Sequence, residues 1–154
     1  MAEALLSHML RNVGIDSAVR VRSGGIAPHA RDGSLLSIDM RMMLKEENIS
    51  FSEDFRSADL KKHTDMFDDA DLILTMTELQ KSRIHQLRQD REAKGEIDSS
   101  YPKQQVLTLK EFIGEDGEIG DPEGEGDEAF KNCKETIEDC LKKAVPLIVP
   151  TNLR

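Results

Sequence analysis

The chain has 154 residues, enough for one domain around a single buried core, and 38% of them are hydrophobic, which excludes wholesale disorder. Its net charge of −9 argues against nucleic acid or an anionic membrane as the main partner, because phosphates would be repelled. No apolar run approaches the ~20 residues needed to span a bilayer, and no Lys/Arg-led hydrophobic leader is present, so the expected location is the cytoplasm.

The first expected element is an amphipathic helix over residues 1–11, with Ala4, Leu5, His8, Met9 and Val13 on one stripe and Gly14 as C-cap. No Ser, Thr, Asp or Asn precedes it and no strand leads into it, so it reads as the second half of a strand–loop–helix unit. Val19-Arg20-Val21-Arg22-Ser23 alternates like a short strand ending at Gly24-Gly25. A long loop over 26–36 holds Pro28 and His29. Ser37 then caps a second helix running to Glu47 and carrying Ile38, Met42 and Met43, whose methionines suit adaptable core packing. A loop over 51–60 with an acidic stretch precedes a short helix that starts at Asp59 or Thr64 and runs through Phe67.

The clearest strand is Ala70-Asp71-Leu72-Ile73-Leu74-Thr75-Met76, whose continuous apolar centre suits a parallel strand covered on both faces. Thr77 caps a helix from Glu78 to about Arg91, with Leu79, Ile84 and Leu87 inward. The charged segment 88–105 is expected as a solvated excursion, and its interleaved acids argue against a nucleic-acid patch. Val106-Leu107-Thr108-Leu109 is the last strand, leading into Lys110-Glu111-Phe112-Ile113. A second solvated loop, rich in Gly and acid, covers 114–126. The final helix runs from about Asp127 to Val145, burying Phe130, Cys133, Ile137, Cys140 and Leu141, and Pro146 ends it. Strands alternating with helices predict one α/β domain over 1–154 with a short, mainly parallel sheet. Sites on such sheets form in loops beyond the carboxyl ends of the strands, which here means Ser23-Gly24-Gly25 onward, Thr75-Met76-Thr77 and 114–126.

Among those loops, Gly120-Asp121-Pro122-Glu123-Gly124 is the most informative. A residue before Pro is biased away from helix and the glycines permit a sharp turn, so Asp121 is held on a rim, suited to general acid work. An ordinary acidic surface turn is the competing reading, and a calcium loop lacks the ordered spacing that an EF-hand needs. The four histidines are dispersed and no metal-ligand spacing occurs; Gly24-Gly25 makes neither a dinucleotide fingerprint nor a P-loop. Cys133 and Cys140 lie about 10 Å apart along one helix, beyond the reach of a disulfide, and are expected to be inert helix residues.

In order along the whole chain, five stretches resemble the low-molecular-weight protein tyrosine phosphatase family, closest to its bacterial protein-arginine phosphatase branch. Met1-Ala2-Glu3-Ala4-Leu5 resembles the helix after that family's Cys-x5-Arg-Ser-Pro phosphate loop, and Ser23-Gly24-Gly25 stands where Ser-Ala-Gly is usual. Residues 70–77 and 106–112 are similar to the third strand and to the fourth strand with the residues after it. Asp121-Pro122 falls where the family's general-acid Asp-Pro lies. The resemblance implies a three-layer sandwich around a short parallel sheet, a phosphorylated protein as partner, and neither a metal nor an organic cofactor; oligomeric state is left open. It also implies two steps: a thiolate attacks phosphorus, then the phosphocysteine is hydrolysed. Asp121 first protonates the leaving group and then activates water, and Ser23 props the phosphate loop.

Three departures set further expectations. The nucleophile loop and its Arg are absent, so the first, central strand of the family fold is missing. Burying about four or five apolar side chains there contributes roughly 1.5–3 kcal/mol each, which rivals the stability of a domain. The expectation is a late start site or a fragment, inactive by itself. Glu123 stands where the family usually has a substrate-flanking aromatic, and an acidic lip suits a guanidinium better than a phenol ring. Phe55-Arg56-Ser57-Ala58 lacks the His and Arg common in tyrosine-specific members. The alternative is a degenerate, non-catalytic regulatory or binding module. Arsenate reduction is a third possibility, but no cysteine relay stands near the loop after residues 70–77.

Overall fold

A computed structural model describes residues 1–100 and 104–148. The elements are α1 (Ala2–Asn12), α2 (Ile38–Glu46), α3 (Asp65–Asp68), β1 (Leu72–Thr75), α4 (Glu78–Ala93), β2 (Gln105–Thr108), α5 (Leu109–Phe112) and α6 (Asp127–Ile148). β1 and β2 pair in parallel, Leu72 opposite Gln105 through Thr75 opposite Thr108, as an α/β fold requires. Side chains alternate across this short sheet. Ile73 and Val106 join Ile26, Phe67 and Ile84 under α4, while Leu74 packs with α1, α5 and α6. Helices therefore cover both faces, giving three layers.

Local chemistry explains most boundaries. Ser37 Oγ accepts from the Met40 N–H at 3.2 Å and starts α2. Thr77 and Thr108 each form a capping box, with Gln80 and Glu111 reaching back to the cap. Gly14, at φ +76°, ends α1 in a Schellman turn: its N–H donates to the Arg11 carbonyl and that of Ile15 to the Leu10 carbonyl, both at 3.0 Å. That turn swings Val13 out to 55% exposure, so the stripe that α1 buries is Leu5, Leu6 and Leu10 rather than one ending at Val13.

Several expectations are corrected. Val19–Ser23 forms no ladder, because among the described residues no strand lies beside it. Val19 and Val21 pack on the core instead, while Arg20 and Arg22 reach Asp69 (3.8 Å) and Asp65 (3.7 Å). Ile38, Met42 and Leu79 point outward; α2 buries Leu44, and Leu79 sits in the first turn of α4, clear of the sheet. The excursion assigned to 88–105 starts only after α4, at Lys94. Arg91 is buried and makes a two-pronged ion pair with Asp68, both bonds at 3.0 Å, which carries α4 past the charged run. The residues of that excursion at 101–103 lie outside the described residues. Finally, α6 continues through Pro146 to Ile148, although the proline ring cannot donate to the Lys142 carbonyl one turn earlier.

Candidate active site

The two strands point the same way, so the Met76-Thr77 turn and α5 emerge at one end of the sheet, and the 114–126 loop starts from α5. Gly114, at φ +76°, lets the chain leave α5 with its N–H on the Glu111 carbonyl at 3.0 Å. Glu115 then bonds to Lys143 and to Lys110 (3.1 Å), and these two ammonium groups hold its carboxyl below the usual range. Three consecutive residues are each tied to a different element. Glu118 Oε1 accepts from the Glu78 N–H at 2.7 Å, the first amide of α4. Ile119 is buried at 4% exposure and its N–H donates to the Met76 carbonyl at 3.0 Å. The Gly120 carbonyl accepts from the Cys133 thiol of α6 at 3.7 Å.

Asp121 follows these anchors and is exposed, with Oδ1 accepting from the Glu123 N–H at 3.0 Å across Pro122. This turn puts the Glu123 amide against the carboxylate and the Glu123 side chain in solvent next to it. A carboxyl so held, on an open rim, can give a proton to an arriving group and take one from water.

Ser23 sits against the first turn of α1, where its hydroxyl donates to Glu3 Oε2. Both residues line a cavity of about 190 Å³ whose walls include Ser7, Arg11, Phe51 and Phe55, and Asp121 is not among them. The positive end of the α1 dipole is thus matched by Glu3, a favourable pairing for the helix.

Neither cysteine lines that cavity; both belong to α6. Burial pushes the thiols of Cys133 and Cys140 up, and the Asp121 carboxylate adds to the effect at Cys133. Both are free and protonated at neutral pH, the opposite of what a thiolate nucleophile needs.

At the mouth of the acid loop the structure adds a cluster that sequence reasoning missed. Lys81 Nζ donates to both carboxylate oxygens of Glu111, at 3.0 and 2.8 Å, and holds the Glu111 carboxyl down. Glu78 hydrogen-bonds to Glu111 and its own carboxyl is pushed up for that reason. The available signal was the pair of Thr-x-x-Gln and Thr-x-x-Glu boxes at residues 77–80 and 108–111. Glu118 had no such signal, since its partner is 40 residues away.

The chain matches the family described as low molecular weight phosphotyrosine protein phosphatase over residues 1–148. A protein-arginine-phosphatase of Geobacillus stearothermophilus is 32% identical over 128 residues, which cover 81% of this chain and 74% of that protein. The solved YwlE arginine phosphatase from Geobacillus stearothermophilus superposes with a TM-score of 0.71 at 30% identity, over 96% of this chain and 82% of the other. A low molecular weight protein tyrosine phosphatase from T. tengcongensis gives a TM-score of 0.70 at 26% identity, over 96% and 88% of the two chains.

Proposed function

The chain belongs to the low molecular weight phosphotyrosine protein phosphatase family, and on that premise we propose protein phosphatase chemistry directed at phosphoarginine, with phosphotyrosine as the second substrate class. The substrate is a phosphorylated protein of the cytoplasm. Asp121 is the general acid, protonating the leaving nitrogen or oxygen as the phosphorus bond breaks, and then the base that removes a proton from the hydrolytic water. The observation that carries the reading is the Asp121-Pro122 turn on its anchored loop, in a chain 32% identical to a protein-arginine-phosphatase. Glu123, exposed beside Asp121, favours a cationic guanidinium over a phenyl ring on the same rim. Ser23, bonded to Glu3, props the N-terminal turn of α1.

By themselves these 154 residues do not turn over substrate. Catalysis through phosphocysteine needs a thiolate among converging N–H donors, and Cys133 and Cys140 are protonated mid-helix thiols. That same observation favours the second reading, a non-catalytic module on a phosphatase fold. The test is an assay of the 154-residue protein beside a fusion that places a Cys-x5-Arg loop in front of Met1. Phosphoarginine protein, phosphotyrosine peptide and p-nitrophenyl phosphate serve as substrates. The fusion is expected to hydrolyse phosphoarginine best and to lose most of its kcat in Asp121→Asn. Turnover by the 154-residue protein that survives Cys133→Ser and Cys140→Ser overturns the inactivity claim. A silent fusion that folds favours the non-catalytic reading.

A further inference from the structure

The loop around Asp121 is rich in glycine, and three consecutive residues just before the acid tie it to the rest of the fold. Gly117 (φ +96°), Gly124 (φ +78°) and Gly126 (φ +92°) adopt positive φ, and a Cβ at Gly120 would meet nothing within 4 Å. Glycine lends such a segment little backbone stiffness, and of its residues Ile119 is the one buried in the core. What does hold it is the run of anchors on residues 118, 119 and 120, immediately before the acid.

The two side-chain anchors act from opposite sides. Glu118 reaches back to α4, where its charge faces the positive end of a 16-residue helix and accepts a short, charge-assisted bond from the Glu78 N–H at 2.7 Å. Cys133 reaches up from α6 to the Gly120 carbonyl at 3.7 Å. The buried Ile119 is the pivot between them, with its N–H on Met76 at the end of β1. We infer that Glu118 and Cys133 are positioning residues that hold the Asp121 carboxylate in place from two elements before any substrate arrives. Catalytic groups fixed ahead of binding lose less entropy on reaching the reactive geometry. A thiol serves here because it stays protonated, and therefore a donor, beside the carboxylate it helps to place.

This inference rests on the reading of Asp121 as the acid, but its test does not use turnover. Amide exchange of Ile119 is measured by NMR in the 154-residue protein with Glu118→Ala, Glu118→Gln, Cys133→Ala, Cys133→Ser and Cys133→Val, the last keeping apolar volume without a donor. Loss of one anchor is expected to speed Ile119 exchange about five- to tenfold, with Gln and Ser restoring it to within about twofold. The second readout is the pH dependence of Cys133 alkylation by iodoacetamide in a Cys140→Ser background. Asp121→Asn is expected to shift that profile to lower pH, and Glu118→Ala, but not Glu118→Gln, to shift it the same way as the carboxylate drifts off. A purely structural Glu118 would not move the thiol profile. Unchanged Ile119 exchange in Glu118→Ala and in Cys133→Val, or a thiol profile indifferent to Glu118→Ala, overturns the inference. Phosphatase turnover of the fusion that survives Asp121→Asn would instead remove the acid role and leave the anchoring result intact.

Discussion

Leu10→Ala set against Val13→Ala tests how α1 is seated. Both residues lie toward the end of the helix, and an amphipathic reading of residues 1–13 puts Val13 on the buried stripe. In the structure Leu10 is fully buried among α1 and α6 side chains, while Val13, past the last helical turn, is 55% exposed. Removing a fully buried leucine side chain costs about 2–5 kcal/mol through lost transfer energy and the cavity left behind. In a domain of this size each kcal/mol moves Tm by about 2–4 °C, so the expected fall is roughly 4–20 °C. Val13→Ala removes little buried area and should stay within about 0.5 kcal/mol. The assay is urea and thermal denaturation followed by far-UV circular dichroism. Equal losses in the two variants, or a larger loss in Val13→Ala, would refute the Schellman exit at Gly14 and the packing built on it.

Two further outcomes are expected. Thr108 is fully buried and its Oγ1 accepts from the Glu111 N–H at 3.1 Å, so the near-isosteric Thr108→Val should cost about 0.5–2 kcal/mol; a denaturation midpoint equal to wild type would contradict the cap. The Asp32 carboxyl is held below its usual range, chiefly by the Asp59 N–H at 2.6 Å and also by His63 at 2.9 Å. Its folded value is depressed, so its contribution is full above the unfolded value near ~4 and is lost as pH falls through the lower folded value. Tm of the wild type should therefore drop more steeply than that of Asp32→Asn below about pH 4; parallel curves would refute the pairing.

What the sequence disclosed was mostly local chemistry. Ser37 and Thr77 announce their helices because a cap involves residues two or three positions away, and Leu72–Leu74 announces a parallel strand by its apolar run; Thr108 reads as a strand residue, although in the structure it caps α5. The errors arise where distant partners decide. Arg91 looked like surface charge until Asp68, 23 residues away, took it inward. Val19–Ser23 has the alternation of a strand, but a ladder needs a neighbour. The candidate site divides in the same way. Gly120-Asp121-Pro122 is legible as a turn that presents a carboxylate, whereas its ties to Glu78, Met76 and Cys133 span 13 to more than 40 residues and leave no periodic trace.

The two-stranded sheet has a consequence for how the molecule behaves in concentrated solution. β1 pairs with β2 along one edge, and among the described residues no strand completes the other. Leu72, Ile73, Leu74 and Thr75 carry no charge and no proline, the two features that usually discourage a strand edge from recruiting a second chain. A net charge of −9 opposes such association by electrostatic repulsion. That repulsion vanishes near the sequence-derived isoelectric point of about 4.9, so turbidity should rise there, and added salt should bring it on at higher pH.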